Sequence, residues 1–182
     1  MTTATFERVA LLPPDVAHAE RLFALIDESR AGLREWLPWV DGTRKVEDSR
    51  QFLAGVAEGM RSGSSCACWL IELDGELAGC IDIHGDSVVN RSASLGYWLA
   101  DRFVGRGAMS GAVAQALNAG FGELGLNRIS IVAGMENRRS RAVARRLGFV
   151  EEGVQRQGLR LHGRYHDACQ YSMLAREWRL RE

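Results

Sequence analysis

The sequence predicts one α/β domain built on a single sheet of mixed strand direction, and three observations predict it. The 182 residues are 46% hydrophobic and 25% charged, which suits one compact core and excludes a disordered tail, a fibre or a small disulfide scaffold. The hydrophobic period switches repeatedly between two and about 3.6 along the chain. Some strand-like runs follow one another through tight turns, while others are separated by helix-like runs, so both hairpins and crossovers are expected.

Residues 6–12 read as a short strand that ends at Pro13-Pro14-Asp15, and a helix follows with Val16, Ala19, Leu22, Phe23 and Ile26 on one side. The segment 33–41, which carries Trp36, Pro38 and Trp39, is too apolar for an ordinary loop; it either plugs the core or walls a pocket. Residues 46–61 form a second helix with Phe52, Leu53, Val56 and Met60 inward. Residues 66–73 and 77–84, joined by Asp74-Gly75, read as a hairpin, and 93–99 as the next strand. A third helix runs from Ala108 to about 124, with Met109, Val113, Ala116, Leu117 and Phe121 inward. A strand over 128–133 leads to a fourth helix over 137–147, whose Ser140, Val143, Ala144 and Leu147 share one side. Two last strands, 150–157 and 165–174, flank a glycine-bearing loop. The sum is about seven strands and about four helices, without repeats or a linker.

Net charge is zero, but residues 1–90 carry 8 Lys/Arg against 15 Asp/Glu and residues 91–182 carry 15 against 8. The basic half should face something anionic. A duplex-binding protein would be basic overall, so a phosphate-bearing small molecule fits better and no direct nucleic-acid contact is expected. No apolar run reaches the roughly 18 residues of a membrane span, and the first residues lack a basic start and an apolar core region, so no membrane contact and a cytoplasmic location are expected. Cys66, Cys68, Cys80 and Cys169 lack C-x-x-C spacing and read as buried thiols.

Gly105-Arg106-Gly107 lies between a strand end and a helix start, where backbone N–H groups can meet an anion. It either does so or makes only a tight turn. A dinucleotide fingerprint fails by one residue, because the third Gly would fall at Ser110 and instead falls at Gly111. A P-loop fails outright, since Gly-Lys-Ser/Thr is absent, and so does a G-x-S-x-G elbow. His162 and His166 have zinc-like spacing but lack a second ligand pair, so no metal is expected.

Leu95-Gly96-Tyr97-Trp98-Leu99, Gly105-Arg106-Gly107-Ala108-Met109-Ser110 and the block from Glu136 and Asn137 through Gly148-Phe149 follow in order along the chain. With Trp36-Leu37-Pro38-Trp39 and Tyr165-His166-Asp167 they resemble the GNAT superfamily of acyl-CoA N-acyltransferases, in its RimJ/RimL-like branch of ribosomal-protein N-acetyltransferases. The resemblance implies a single GNAT-like domain over 1–182 with a mostly antiparallel twisted sheet. It also implies acetyl-CoA as co-substrate, direct transfer in a ternary complex, and a primary amine as acceptor, with a protein N-terminal α-amine leading. A small-molecule, aminoacyl or peptidyl amine is the alternative, as is a catalytically silent acyl-CoA-binding module. Self-association as a homodimer is left open.

Carried onto this chain, the resemblance implies that amides of Val104, Gly105, Arg106, Gly107, Ala108 and Met109 cradle the CoA pyrophosphate, although Val104 departs from the family's Gln/Arg at its position. Leu99 would offer its N–H to the thioester carbonyl, and Asn137 would cap the fourth helix and hold the pantetheine arm. Arg138, Arg139 and Arg141 would meet phosphate, with at least one of them solvated instead. Ser140 would protonate the departing thiolate or would only pack against the sheet. His84, with Asp82 on the same side of its strand, is the candidate base or else a hydrogen-bonded strand-end histidine. Ser94 and Leu159 stand where relatives carry carboxylates. Trp36, Trp39 and Tyr97 would wall the acceptor site.

Overall fold

A computed structural model describes residues 8–63 and 67–179. Among these residues seven strands form one sheet in the order β1-β2-β3-β4-β5-β7-β6. They are β1 (Val9–Leu12), β2 (Ala67–Leu73), β3 (Glu76–Ser87), β4 (Ser92–Leu99), β5 (Arg128–Gly134), β6 (Val150–Leu161) and β7 (Arg164–Leu174). All neighbouring pairs are antiparallel except β4 and β5. The β2–β3 hairpin turns at Asp74 (φ 50°) and Gly75 (φ 89°), a pair of left-handed conformations that Asp-Gly adopts at low cost and that matches the strand twist. Phe6 and Cys66, read as the first residues of β1 and β2, lie outside the described residues.

Among the described residues six α-helices cover the sheet: α1 (Ala19–Glu28), α2 (Arg30–Trp36), α3 (Val46–Arg61), α4 (Ala108–Phe121), α5 (Arg138–Arg146) and α6 (Ala175–Arg179). The four helices read from the sequence are present, and α2 and α6 add to them. Pro38 and the aromatic cluster conceal α2, because a seven-residue helix offers too few turns for a periodic signal; a 3-10 turn over Pro38–Asp41 follows it. The glycine-bearing loop before β7 is instead mostly strand, turned at His162 (φ 49°) and Gly163 (φ 80°).

Side-chain alternation assigns the two faces. Gly120 of α4 lies against the Ile83 and Ile129 side chains, so α4 and the odd-numbered side chains of β3 share a face. Cys80, Asp82 and His84 point the other way, toward the layer of α1 and α3. Buried Leu22, Ile26 and Leu53 fill that layer, while Val113, Leu117 and Phe121 fill the other. Phe52, expected in the core, is 45% exposed on α3. Cys68, Cys80 and Cys169 are buried thiols, and the Cys68 and Cys80 sulfurs lie 3.4 Å apart. No helix among the described residues is long and apolar enough to cross a membrane.

Candidate active site

The sheet opens between its two parallel strands. The β4–β5 ladder covers only Ser92↔Arg128, Ala93↔Ile129 and Ser94↔Ser130. Beyond it, Leu95 to Leu99 of β4 have no ladder with β5. The Ala100 N–H donates to the Ala78 carbonyl of β3 at 2.9 Å. Backbone groups alternate in direction along a strand, so the Leu99 N–H faces the opposite edge, into the opening. An extended amide-bearing chain laid there would find the backbone groups of Leu95, Tyr97 and Leu99 turned toward it.

α4 and α5 both start at the C-terminal end of this parallel pair, the place where open α/β sheets bind ligands. Gly105 (φ 86°) and Gly107 (φ 81°) hold left-handed conformations, and a Cβ at either would meet nothing within 4 Å. The backbone conformation, not crowding, requires glycine, and the space above stays open for a ligand. Gly107 caps α4 without a side-chain hydrogen bond, so the first-turn amides of Ala108 and Met109 keep their outward donors. No acidic residue lies in that turn, and Arg146 Nη1 donates to Ser110 Oγ at 2.8 Å, bringing a guanidinium to the same rim. A diphosphate fits this cradle on charge and donor geometry. Val104 is a correction: its N–H donates to the Asp101 carbonyl at 3.2 Å within a 3-10 turn, so the cradle starts at Gly105.

At the start of α5, Asn137 Oδ1 accepts from the Ser140 N–H at 3.1 Å, so the cap role is filled. Arg138 and Arg139 are exposed. Arg141 turns inward, donating to Tyr171 Oη at 3.0 Å and to the Met135 carbonyl at 2.8 Å, and it holds α5 on the sheet instead of meeting phosphate. Tyr97 reaches from β4 to α5, where its hydroxyl lies 3.0 Å from Ser140 Oγ and 3.3 Å from the Ser140 carbonyl. Burial pushes the Tyr97 phenol up to about 12, against a smaller opposing effect of the Ser140 hydrogen bond. The two hydroxyls thus form a neutral, proton-bearing pair beside the opening.

The structure does not bring His84 to them. Leu99 pairs with Gly79 and His84 with Ser94, five residues further along β3, which is about 17 Å at roughly 3.4 Å per residue. His84 also lies on the face away from α5, with its Nδ1 2.7 Å from Asp82 Oδ2. The sequence placed His84 correctly on its strand but carried no information on register.

Trp36 packs where Gly134 ends β5: a Cβ there would come 3.0 Å from the Trp36 ring and 3.7 Å from Leu159. Trp39 turns the other way, its ring centroid 6.0 Å from that of Trp98. The hairpin of β6 and β7 closes this end, with His162 Nε2 2.6 Å from the Arg34 carbonyl of α2. Trp98 and Gly134 join the site without having been singled out, and Leu159, marked as standing where relatives carry a carboxylate, lies beside Gly134. For Trp98 the signal was present, since alternation alone puts it on the face opposite Tyr97.

A parallel pair opened at its C-terminal end, an anion cradle on the next helix and a hydroxyl pair beside the gap define an acyl-transfer site on a GNAT fold. Residues 8–150 match the family model described as acetyltransferase (GNAT) domain. YdaF of Bacillus subtilis (strain 168), named as a proposed ribosomal N-acetyltransferase, is 36% identical over 93% of this chain and 92% of its own. The ribosomal-protein-serine acetyltransferase of Escherichia coli (strain K12) is 30% identical over 86% of this chain and 87% of its own. Among solved structures, RimL, a ribosomal L7/L12 α-N-protein acetyltransferase in complex with coenzyme A, has a TM-score of 0.87 at 28% identity, covering 94% of this chain and 97% of that one. The microcin C7 self-immunity acetyltransferase MccE, in complex with acetyl-CoA and AMP, has a TM-score of 0.86 at 27% identity, covering 92% and 93%. The chain belongs to the GNAT acetyltransferase family and is an acetyl-CoA-dependent N-acetyltransferase.

Proposed function

We propose that the protein acetylates the α-amine of a protein N-terminus in the cytoplasm, in a ternary complex with acetyl-CoA. Acetyl-CoA supplies a thioester whose sulfur is a good leaving group. Around it, the amides from Gly105 to Met109 hold diphosphate, and the Leu99 N–H stabilises the oxyanion of acyl transfer. Ser140 gives its hydroxyl proton to the departing sulfur and recovers one from water, which in turn takes the proton that the new amide nitrogen sheds; Tyr97 supports Ser140 from behind. The cofactor enters from the face of α4 and α5. The amine therefore approaches from the opposite face, between Trp36 and Trp39.

One observation carries the choice of amine: the His84–Asp82 pair is about 17 Å along the sheet from Leu99, so it does not serve as base there. An α-amine has a pKa near 7.7–8.0 and a lysine near 10.4, so the former needs about 3.4 kcal/mol less deprotonation work. Apolar tryptophan walls lower it further by desolvation. The relatives named for ribosomal-protein acetylation agree with this reading. The test is competition at pH 7 between a lysine-free peptide with a free N-terminus and the same peptide N-terminally blocked with one internal lysine. The first should be acetylated faster; faster reaction of the second overturns the reading.

A further inference from the structure

A cavity of about 600 Å³ lies between α3, α1 and the β2–β4 part of the sheet, within the size range of small-molecule sites. Cys68, Cys80 and Val56 make its apolar floor and wall, and Trp39 and Trp98 stand at one end. Three observations indicate that it is built to be filled. Ser49 lines it, is 1% exposed, and carries the one buried side-chain oxygen or nitrogen without a hydrogen-bond partner among the described residues. A buried hydroxyl without a partner is costly, and a turn about the Ser49 Cα–Cβ bond that meets a ligand atom in the cavity removes that cost. Gly55 and Gly59, one turn apart on α3, also line the cavity, and a Cβ at Gly55 would meet nothing within 4 Å. Glycine weakens a helix interior; at Gly55 no close packing calls for it, and what it leaves is open entrance. Exposed Phe52 and Trp39 flank that entrance, so apolar area faces solvent where an apolar group could cover it.

Position says what arrives there. The cavity is on the face opposite α4 and α5, where the acceptor approaches, and it starts at Trp98, the residue before Leu99. From there it extends along β3 to Asp82 and His84. An extended peptide rises about 3.3 Å per residue, so the cavity lies within reach of the side chains of its first three residues.

We propose that this cavity is a specificity pocket for the acceptor, taking one aromatic side chain that bears a hydrogen-bonding group, a phenol or an indole, from the first three residues of the acceptor chain and bonding it through Ser49. The proposal rests on the α-amine reading above. The walls require an apolar body, and the orphan hydroxyl requires a polar atom on it.

The test uses lysine-free peptides with free N-termini that differ only in carrying Tyr, Phe or Ala at position two or three. Wild-type protein should show a KM at least about tenfold lower for a Tyr peptide than for its Ala counterpart, the scale on which apolar pockets discriminate. Ser49→Ala should remove the preference for Tyr over Phe. Ser49→Leu, which fills the cavity without leaving an unpaired hydroxyl, should raise the KM for aromatic peptides to that of the Ala peptide. Both variants should keep the wild-type Tm or exceed it, and should keep the KM for acetyl-CoA. Calorimetric titration of the same peptides with CoA present gives a readout that does not need turnover. Equal KM and Kd for the Tyr and Ala peptides, or affinities that ignore Ser49→Leu, overturn the pocket. If no peptide is acetylated, the α-amine reading fails separately; Tyr-peptide binding that Ser49→Leu abolishes then still supports the pocket, and absence of binding overturns it too.

Discussion

Gly107 does two things with one absent side chain: it holds φ at 81° and it leaves the first amides of α4 uncovered. Gly107→Asp adds backbone strain and places a carboxylate where phosphate must approach. Acetyl-CoA binding by calorimetry should be nearly abolished, with an unchanged circular dichroism spectrum. A second residue-scale prediction concerns the hydroxyl pair. Ser140→Ala should lower kcat roughly a hundredfold, the usual loss on removing a general acid, and raise the KM for acetyl-CoA far less. Tyr97→Phe should lower kcat in the wild-type background and have little further effect in Ser140→Ala, because the two hydroxyls act through one contact of 3.0 Å. With its phenol pushed up to about 12, Tyr97 stays protonated across the working range and stabilises the fold most fully below about pH 10, losing that contribution only as pH rises toward 12. The kcat profile should therefore show no Tyr97 limb below about pH 10.

Among elements, the least legible was the segment between α1 and α3. Its sequence left core plug and pocket wall open, and the structure makes it both: α2 buries Leu33, while Trp36 and Trp39 leave in opposite directions toward β5 and β4. What decides this is space at Gly134, which no local pattern reports. Gly134→Val should drive the Trp36 ring aside, at a cost of about 1–3 kcal/mol in stability, as overpacking usually brings. The KM for an acceptor peptide should rise and the KM for acetyl-CoA should not, measured by varying each at saturation of the other. Equal rises in both would mean that Trp36 supports the whole opening and not the acceptor side alone.

For the whole molecule, the outer edge of the sheet is held by ions. Arg145 and the Tyr171 hydroxyl donate to Glu151, each at 2.9 Å, and Arg128 and the Ser172 hydroxyl donate to Glu152 at 2.7 and 2.8 Å. These hydrogen bonds, the arginines' foremost, hold both carboxyls below the usual glutamate value. A depressed folded pKa contributes stability in full above the unfolded value near 4.3, and the contribution drains as pH falls through the lowered folded value. The urea midpoint should fall between pH 5 and pH 3, and Glu152→Gln should flatten that fall while lowering the midpoint at pH 7. An unchanged slope in the variant would assign the acid sensitivity elsewhere.

The sequence by itself determined the order of the seven strands and the four longest helices, the glycine turn before α4 and the Asn137–Ser140 start of α5, because hydrophobic period, turn residues and helix caps are local properties that neighbours along the chain enforce. Only the tertiary structure decided which of these meet. Register placed His84 opposite Ser94 and about 17 Å from Leu99, although the two are on adjacent strands. The end of the β4–β5 ladder at Ser94↔Ser130 created the opening, and the reach of Tyr97 across it made a pair with Ser140. The Val104 amide was likewise withdrawn from the cradle by a turn with Asp101. A strand's pattern says which side chains share a face. How far two strands stay paired, and which residue stands opposite which, depends on packing between segments distant in sequence.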